Sequence, residues 1–167
     1  MIVYLSLGSN LGNREQTIDK AIQLLSEQVG PLIKRSSFFY SKPWGFDSPN
    51  DFCNICASFK TELSPLYLLH TTQSIERTLG RNQKSNVCRT FAADKSQITI
   101  PSDRALGLRN HKSVYKDRCI DIDILLFGDI QLSTPELTIP HENMTNRDFV
   151  MIPLQEIAPH LHFFTQK

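Results

Sequence analysis

Apolar positions along this chain switch between a period of two and a period near 3.6, and the switches divide it into strands and helices. Ile2 to Leu7 is a nearly continuous apolar run that predicts a buried strand, closed by the turn-forming Gly8-Ser9-Asn10-Leu11-Gly12. Ile18, Ala21, Ile22, Leu25 and Val29 then fall on one helical face. Asn13, with Gln16 three residues later, resembles a capping box, and Gly30-Pro31 stops the helix. Ile33 to Tyr40 is a second strand candidate, followed by a loop at Lys42-Pro43-Trp44-Gly45-Phe46-Asp47-Ser48-Pro49-Asn50. Phe52 to Thr61 alternates, with Cys53, Ile55, Ala57 and Phe59 on one face and Asn54, Ser58 and Lys60 on the other. This pattern predicts a half-buried strand with a polar working face.

Ser64-Pro65 supplies an N-cap and an N1 proline for a helix that turns Leu68, Thr72, Ile75 and Leu79 inward and ends at Gly80. From about Asn86 to His111 no period is sustained beyond Ile98-Thr99-Ile100, which predicts a long basic loop. Cys119 to Phe127 is a strong strand closed by Gly128-Asp129, with Ile120, Ile122, Ile124 and Leu126 on the core face. Leu132 to Pro140 holds short extended pieces, and Asn146 to Ile157 a short helix interrupted by Pro153. The order strand, helix, strand, strand, helix, strand predicts an α+β ferredoxin-like sandwich. Both helices would lie on one face of a mostly antiparallel sheet. A single domain over residues 1–167 is expected, with a loop insertion at about 86–111.

Charge narrows the partners. A net charge of +1 gives the molecule no general pull toward nucleic acid or an anionic membrane, so an anionic substrate must be met by a local arginine cluster. A monomer is the expected state. No apolar run is long enough to span a bilayer and the start lacks a signal-peptide pattern, so a cytoplasmic protein is expected. In that reducing setting Cys53, Cys56, Cys88 and Cys119 read as free thiols. Cys53 and Cys56, an odd number of residues apart on a strand, point to opposite faces and do not make a metal pair.

Two aspartates interrupt the last strong strand. Period-two geometry puts Asp121 and Asp123 on the face opposite the isoleucines, about 7 Å apart. Carboxylates that close repel unless a cation lies between them, and hard oxygen ligands suit Mg²⁺ shared with substrate phosphates. The same spacing also fits the solvated face of an amphipathic strand. Basic residues add to the picture: Arg118 before the pair, Arg81 and Lys84 after the second helix, His141 and Arg147 beyond the strand. Arginine's charged fork suits phosphate. Trp44, Phe52, Tyr115 and Phe149 sit in loops or at strand edges, where rings could bracket a flat heterocycle whose edge meets Asn54. Gly8 to Gly12 lacks the Gly-Lys-Ser/Thr ending of a P-loop, and His141-Glu142 lacks the second histidine of a zinc-protease helix.

Taken together, several segments resemble the 6-hydroxymethyl-7,8-dihydropterin pyrophosphokinase family. They are Leu7-Gly8-Ser9-Asn10-Leu11-Gly12, Pro43-Trp44-Gly45, Phe52-Cys53-Asn54 and Ile75-Glu76-Arg77-Thr78-Leu79-Gly80-Arg81. Tyr115 to Gly128 and Ile139 to Arg147 complete the set, in the same order. The resemblance implies that MgATP binds, then a reduced pterin whose hydroxymethyl oxygen attacks the β-phosphorus and releases AMP. It implies that Asp121 and Asp123 hold two Mg²⁺ ions and that Arg81, Arg118, His141 and Arg147 contact phosphate. It further assigns Gln73, Glu76, Ile124 and Thr138 to the nucleotide, and Ser41, Pro43, Trp44, Phe52, Asn54, Tyr115 and Phe149 to the pterin.

Phe52 and Tyr115 stand where other members carry Tyr and Trp, and Gln83 and Glu136 where some carry arginines that help hold ATP. Arg89, Lys95, Arg104 or Arg109 of the insertion could replace such a contact. Two other readings stay open: a non-catalytic ferredoxin-like binding module, and a different two-metal transferase.

Overall fold

The computed structural model describes residues 1–45, 47–81 and 117–161. The expectations for Gln83, Lys84, Cys88, Arg89, Lys95, Arg104, Arg109, His111 and Tyr115, and for the 86–111 insertion, lie outside the described residues. The chain runs β1 (Ile2–Ser9), α1 (Arg14–Gln28), β2 (Leu32–Arg35), β3 (Phe39–Ser41), β4 (Phe52–Lys60) and α2 (Pro65–Thr78). It continues through β5 (Asp121–Phe127), β6 (Leu132–Ser133), β7 (Thr138–Ile139), a 3₁₀ turn (Met144–Asn146) and α3 (Asp148–Ile157).

The main sheet has the order β2-β4-β1-β5, with β3 also on β4, and every pairing is antiparallel. This is the expected ferredoxin-like arrangement, in which β4 slots between the two strands that α1 connects. Local chemistry sets the helix starts as anticipated. The Asn13 side chain accepts from Gln16 N, and the Ser64 side chain accepts from Tyr67 N ahead of Pro65. Gly30 turns the chain out of α1 at φ +139°, where a Cβ would lie 2.1 Å from the Lys60 carbonyl oxygen, so only glycine fits.

One face of the sheet is closed by α1 and α2 over β4, β1 and β5, while the edge strand β2 stays exposed. Ile18, Ala21 and Leu25 of α1 and Leu68 and Ile75 of α2 pack on Leu5, Leu7, Ile55, Phe59, Ile122 and Ile124. Full burial of each such side chain contributes about 1.5–3 kcal/mol. The other face is closed over only part of its extent, where Val150, Leu154 and Ile157 of α3 meet Cys56, Leu125 and Leu126. The uncovered part carries the chemistry.

The structure corrects four local expectations. The Ile33–Tyr40 strand is two strands, broken where buried Ser36 presents its own Oγ to Cys56 N at 3.0 Å. Next to that break, Ser37 N and Oγ both donate to Glu156 of α3 at 2.9 Å, so the break is also where α3 is pinned. β4 is not half-buried: all of it is buried but Lys60, because α3 packs over Cys56 on the face read as a working surface, of which Asn54 still lines the open part. Cys53 and Cys56 do face opposite ways, one in each core.

In β5 the register with β1 shifts between Tyr4 and Leu5, leaving Leu125 as an extra residue. Leu126 therefore packs under α3 and Phe127 takes its place in the main core. Finally, α3 begins at Asp148 after the 3₁₀ turn and continues through Pro153 without interruption. No helix among the described residues is long and apolar enough to cross a membrane.

Candidate active site

Register builds the floor of the open face from three strands. Gly8 on β1 lies between Asn54 on β4 and Asp121 on β5, and Ser6 lies between Cys56 and Asp123. Both aspartates thus share one face of one strand, two residues apart, as the alternation required. Around this floor a concavity of about 500 Å³, counted out to solvent, is walled by Trp44, Phe52, Phe149, Arg118 and Arg147. Ser41 and Lys42 complete its rim.

The carboxylates sit among guanidinium groups. Arg81 Nη1 donates to Asp121 Oδ1, and Arg118 Nη1 donates to Asp121 Oδ2 at 2.6 Å. Arg118 achieves this from the turn before β5, which settles how a residue three positions earlier reaches the same face. Arg147 Nη1 stands 3.9 Å from Asp123 Oδ2. Burial disfavours the charged form of Arg81, but Asp121 and Glu76 overcome it, so its pKa is raised. Each arginine beside the pocket also stacks on an aromatic face. Arg118 lies 5.7 Å from the Phe52 ring centroid, and Arg147 lies 4.8 Å from that of Trp44 and 5.8 Å from that of Phe149.

The donor set suits a hard divalent cation shared with a ligand. Two carboxylates on one strand face are offered, and among the described residues no group of three or more His, Cys, Asp or Glu could hold a metal alone. Mg²⁺ completes its shell with water and phosphate oxygen, so the fit is with Mg²⁺ carried by a polyphosphate.

Other anticipated residues fall in three groups. Ser41, Trp44, Phe52, Asn54 and Phe149 line the concavity, as do Arg118, Asp121, Asp123 and Arg147. Asn54 Nδ2 donates to Ser41 Oγ at 3.0 Å and to the Phe39 carbonyl at 3.4 Å, so its donors are spent within the protein and Oδ1 is the atom turned toward Gly8. Pro43 adjoins the wall without lining it.

A second group stands behind the floor. Glu76 is 1% exposed, and its Oε1 accepts from Arg81 Nη1 at 2.5 Å and from Ile122 N at 2.8 Å. Gln73 is half-buried one turn earlier on the same flank of α2. The Ile124 side chain belongs to the main core, on the face away from the aspartates. The third group lies beyond β5. Thr138 Oγ1 donates to Glu142 Oε1 at 3.4 Å, and Glu136 is exposed. The His141 N–H donates to the carbonyl of the bulged Leu125 at 3.0 Å. Its Nδ1 accepts from Asn143 N at 3.2 Å, which leaves the ring proton on Nε2.

Ser6, Gly8 and Lys42 line the concavity and were not anticipated. The first two were legible in principle. Val3, Leu5 and Leu7 occupy the core face of β1, so Ser6 and Gly8 necessarily share the other.

Comparison with known proteins gives a consistent picture. The model of a family described as 7,8-dihydro-6-hydroxymethylpterin-pyrophosphokinase (HPPK) matches residues 4–107 and 96–159. A Porphyromonas gingivalis protein named 2-amino-4-hydroxy-6-hydroxymethyldihydropteridine pyrophosphokinase is 44% identical over 162 residues, covering 96% of this chain and 93% of the relative. The protein of that name from Haemophilus influenzae is 36% identical, over 95% of this chain and 82% of the relative. The Plasmodium falciparum wild-type HPPK-DHPS structure superposes with a TM-score of 0.64 at 15% identity. It is covered over 99% of this chain and only 43% of that one, which supports the fold. An HPPK-DHPS solved in complex with substrates gives a TM-score of 0.63 at 15% identity, over 99% of this chain and 42% of that chain.

Proposed function

Because this chain belongs to the 7,8-dihydro-6-hydroxymethylpterin-pyrophosphokinase family, we propose that the part of the sheet face left open by α3 is its active site. The aspartates and arginines would meet the nucleotide phosphates, and the aromatic walls the pterin. The protein transfers pyrophosphate from ATP to the hydroxymethyl group of 6-hydroxymethyl-7,8-dihydropterin, a step of folate biosynthesis. The observation that carries the site assignment is the register, which aligns Asn54, Gly8 and Asp121 across the sheet between Phe52 and the arginines.

In this reading the hydroxymethyl oxygen attacks the β-phosphorus and gives up its proton to solvent, a new oxygen–phosphorus bond forms, and the bond from the β-phosphorus to the α,β-bridging oxygen breaks so that AMP leaves with that oxygen and its electron pair. Phe52, Phe149 and Trp44 hold the flat ring, with Ser41 and Pro43 beside it; Tyr115, outside the described residues, is assigned to the pterin by family resemblance alone. Asn54 Oδ1 accepts from the ring's amino or amide edge. Arg81, Arg118 and Arg147 exchange their carboxylate partners for phosphate oxygens. His141 donates from Nε2 to the phosphate chain, and Gln73 and Thr138 contact the nucleotide. Asp121 and Asp123 would hold magnesium, two ions in our reading, which shields phosphate charge and makes the phosphorus more electrophilic. Catalysis is thus mainly positioning and charge neutralisation. Glu76 acts from behind, and Ile124 offers the nucleotide only its backbone. One domain, acting as a cytoplasmic monomer, is part of the same proposal.

Incubation with MgATP and the dihydropterin, following AMP, tests this. AMP should form in step with pterin consumption. Tight pterin binding with no AMP at saturation would identify a non-catalytic module, and equal turnover of a simple alcohol a different transferase.

Gly8→Ala probes the floor separately. Its Cβ would lie 2.9 Å from Asn54 Oδ1, and Asn54 is tied to β3, so the amide must shift. The expected result is a rise of about tenfold in KM for the pterin, which corresponds to about 1.4 kcal/mol. KM for ATP and the unfolding temperature should change little.

A further inference from the structure

Three chain segments that contribute to the site meet away from its floor at one exposed side chain, Asp117. Asn10, at the end of β1, is buried and donates from Nδ2 to Asp117 Oδ1 at 2.7 Å. Asn50, from the loop that carries Trp44, donates from Nδ2 to Asp117 Oδ2 at 3.0 Å. Asn10 also grips the next residue by its backbone: Arg118 N donates to Asn10 Oδ1 at 2.8 Å, and Asn10 N donates to the Arg118 carbonyl at 3.2 Å. The base of the loop is tied independently. Lys42 Nζ pairs with Asp51 Oδ1 at 2.8 Å, and Arg14 Nη1 donates to the Asp51 carbonyl at 2.7 Å. Bonds from Ser48, Asn10 and Asn50 hold the Asp117 carboxyl below the usual range, so it is an ionised acceptor.

We propose that Asp117 is a positioning residue, the acceptor of a clasp that holds the Trp44 loop against the Asn10 turn and the Arg118 segment. The clasp sets where Trp44 and the Arg118 guanidinium stand relative to the pocket floor. Asp117 is exposed, and its two oxygens join two segments distant in sequence. Charge-assisted bonds of this kind hold geometry even where exposure limits their worth to stability. The kinetic consequence rests on the pterin-site reading above; the structural consequence does not.

Trp44 is the chain's single tryptophan, so its fluorescence reports the loop without substrate or turnover. In the full chain, Asp117→Ala is expected to at least double acrylamide quenching of Trp44. It should also raise KM for the pterin about five- to tenfold with kcat within about twofold, the scale of a lost charged hydrogen bond. Asn50→Asp sets two carboxylates face to face and should behave alike. Combining Asp117→Asn with Asn50→Asp restores donor and acceptor and should return both readouts toward wild type. Wild-type quenching in Asp117→Ala, a KM change without a quenching change, or a swap no better than its parents would overturn the clasp. Wild-type protein that forms no AMP would instead overturn the functional reading, while the quenching arms still decide the clasp.

Discussion

Asp123→Ala is expected to lower kcat by about 10²–10³-fold, the scale on which one electrostatic partner of a developing charge is lost. Its thermal midpoint should stay within a few degrees of wild type. The two expectations separate because Asp123 is the looser of the two carboxylates: its side chain is 33% exposed, and Arg147 stands 3.9 Å away. Asp121→Ala should lose activity on a similar scale and stability as well. Its oxygens accept from Arg81 and Arg118, whose side chains are 9% and 16% exposed, and removing it takes one anionic partner from each. About 1–3 kcal/mol of destabilisation is expected there, read by urea unfolding. Full activity in Asp123→Ala would sink the metal-carboxylate assignment.

Glu76→Ala should be among the most destabilising single changes near the site, at about 3–5 kcal/mol. One carboxylate oxygen accepts from both the Ile122 N–H and Arg81, in a setting 1% exposed. Alanine leaves a buried strand N–H without its acceptor and takes one anion from a buried guanidinium. Glu76→Gln keeps an oxygen for Ile122 N and should lose less than half as much. Urea midpoints for the two variants decide it. Parity of alanine with wild type would mean that α2 does not brace the start of β5.

That brace illustrates what the sequence could and could not convey. The helices, their caps at Asn13 and Ser64, and the shared face of Asp121 and Asp123 follow from spacing alone, because each depends on residues within a few positions of one another. Glu76 looks from the sequence like any helical charge; its burial depends on β5, some 45 residues later, arriving with an N–H to offer. The bulge at Leu125 has the same character. Nothing in Asp121–Phe127 marks it, since no glycine or proline interrupts the run, and it exists only as a mismatch with β1. The buried second face of β4 became visible only when α3 came to rest on it. The carboxylates, aromatics and arginines of the pocket were anticipated by type and order. Ser6 was missed because a run read as nearly continuously apolar concealed its two-residue period, and Gly8 because it was read as the start of a turn when β1 continues to Ser9.

The closed face of the sheet and the open one have different freedoms. Leu5, Leu7, Ile55, Phe59, Ile122 and Ile124 lock against two helices, whereas Ser6, Gly8, Asn54, Asp121 and Asp123 project from the same strands into the pocket. A strand thus carries its folding instructions on alternate residues and its chemical ones on those between. Selection acting through an inhibitor or an altered substrate could revise the second set while leaving the first untouched. The exceptions are the positions that belong to both, Asp121 and Glu76, where any change is felt on each side of the sheet. A compound that leans on Asp121, which lines the pocket and which buried Glu76 braces from behind through Arg81, would leave the protein few routes of escape.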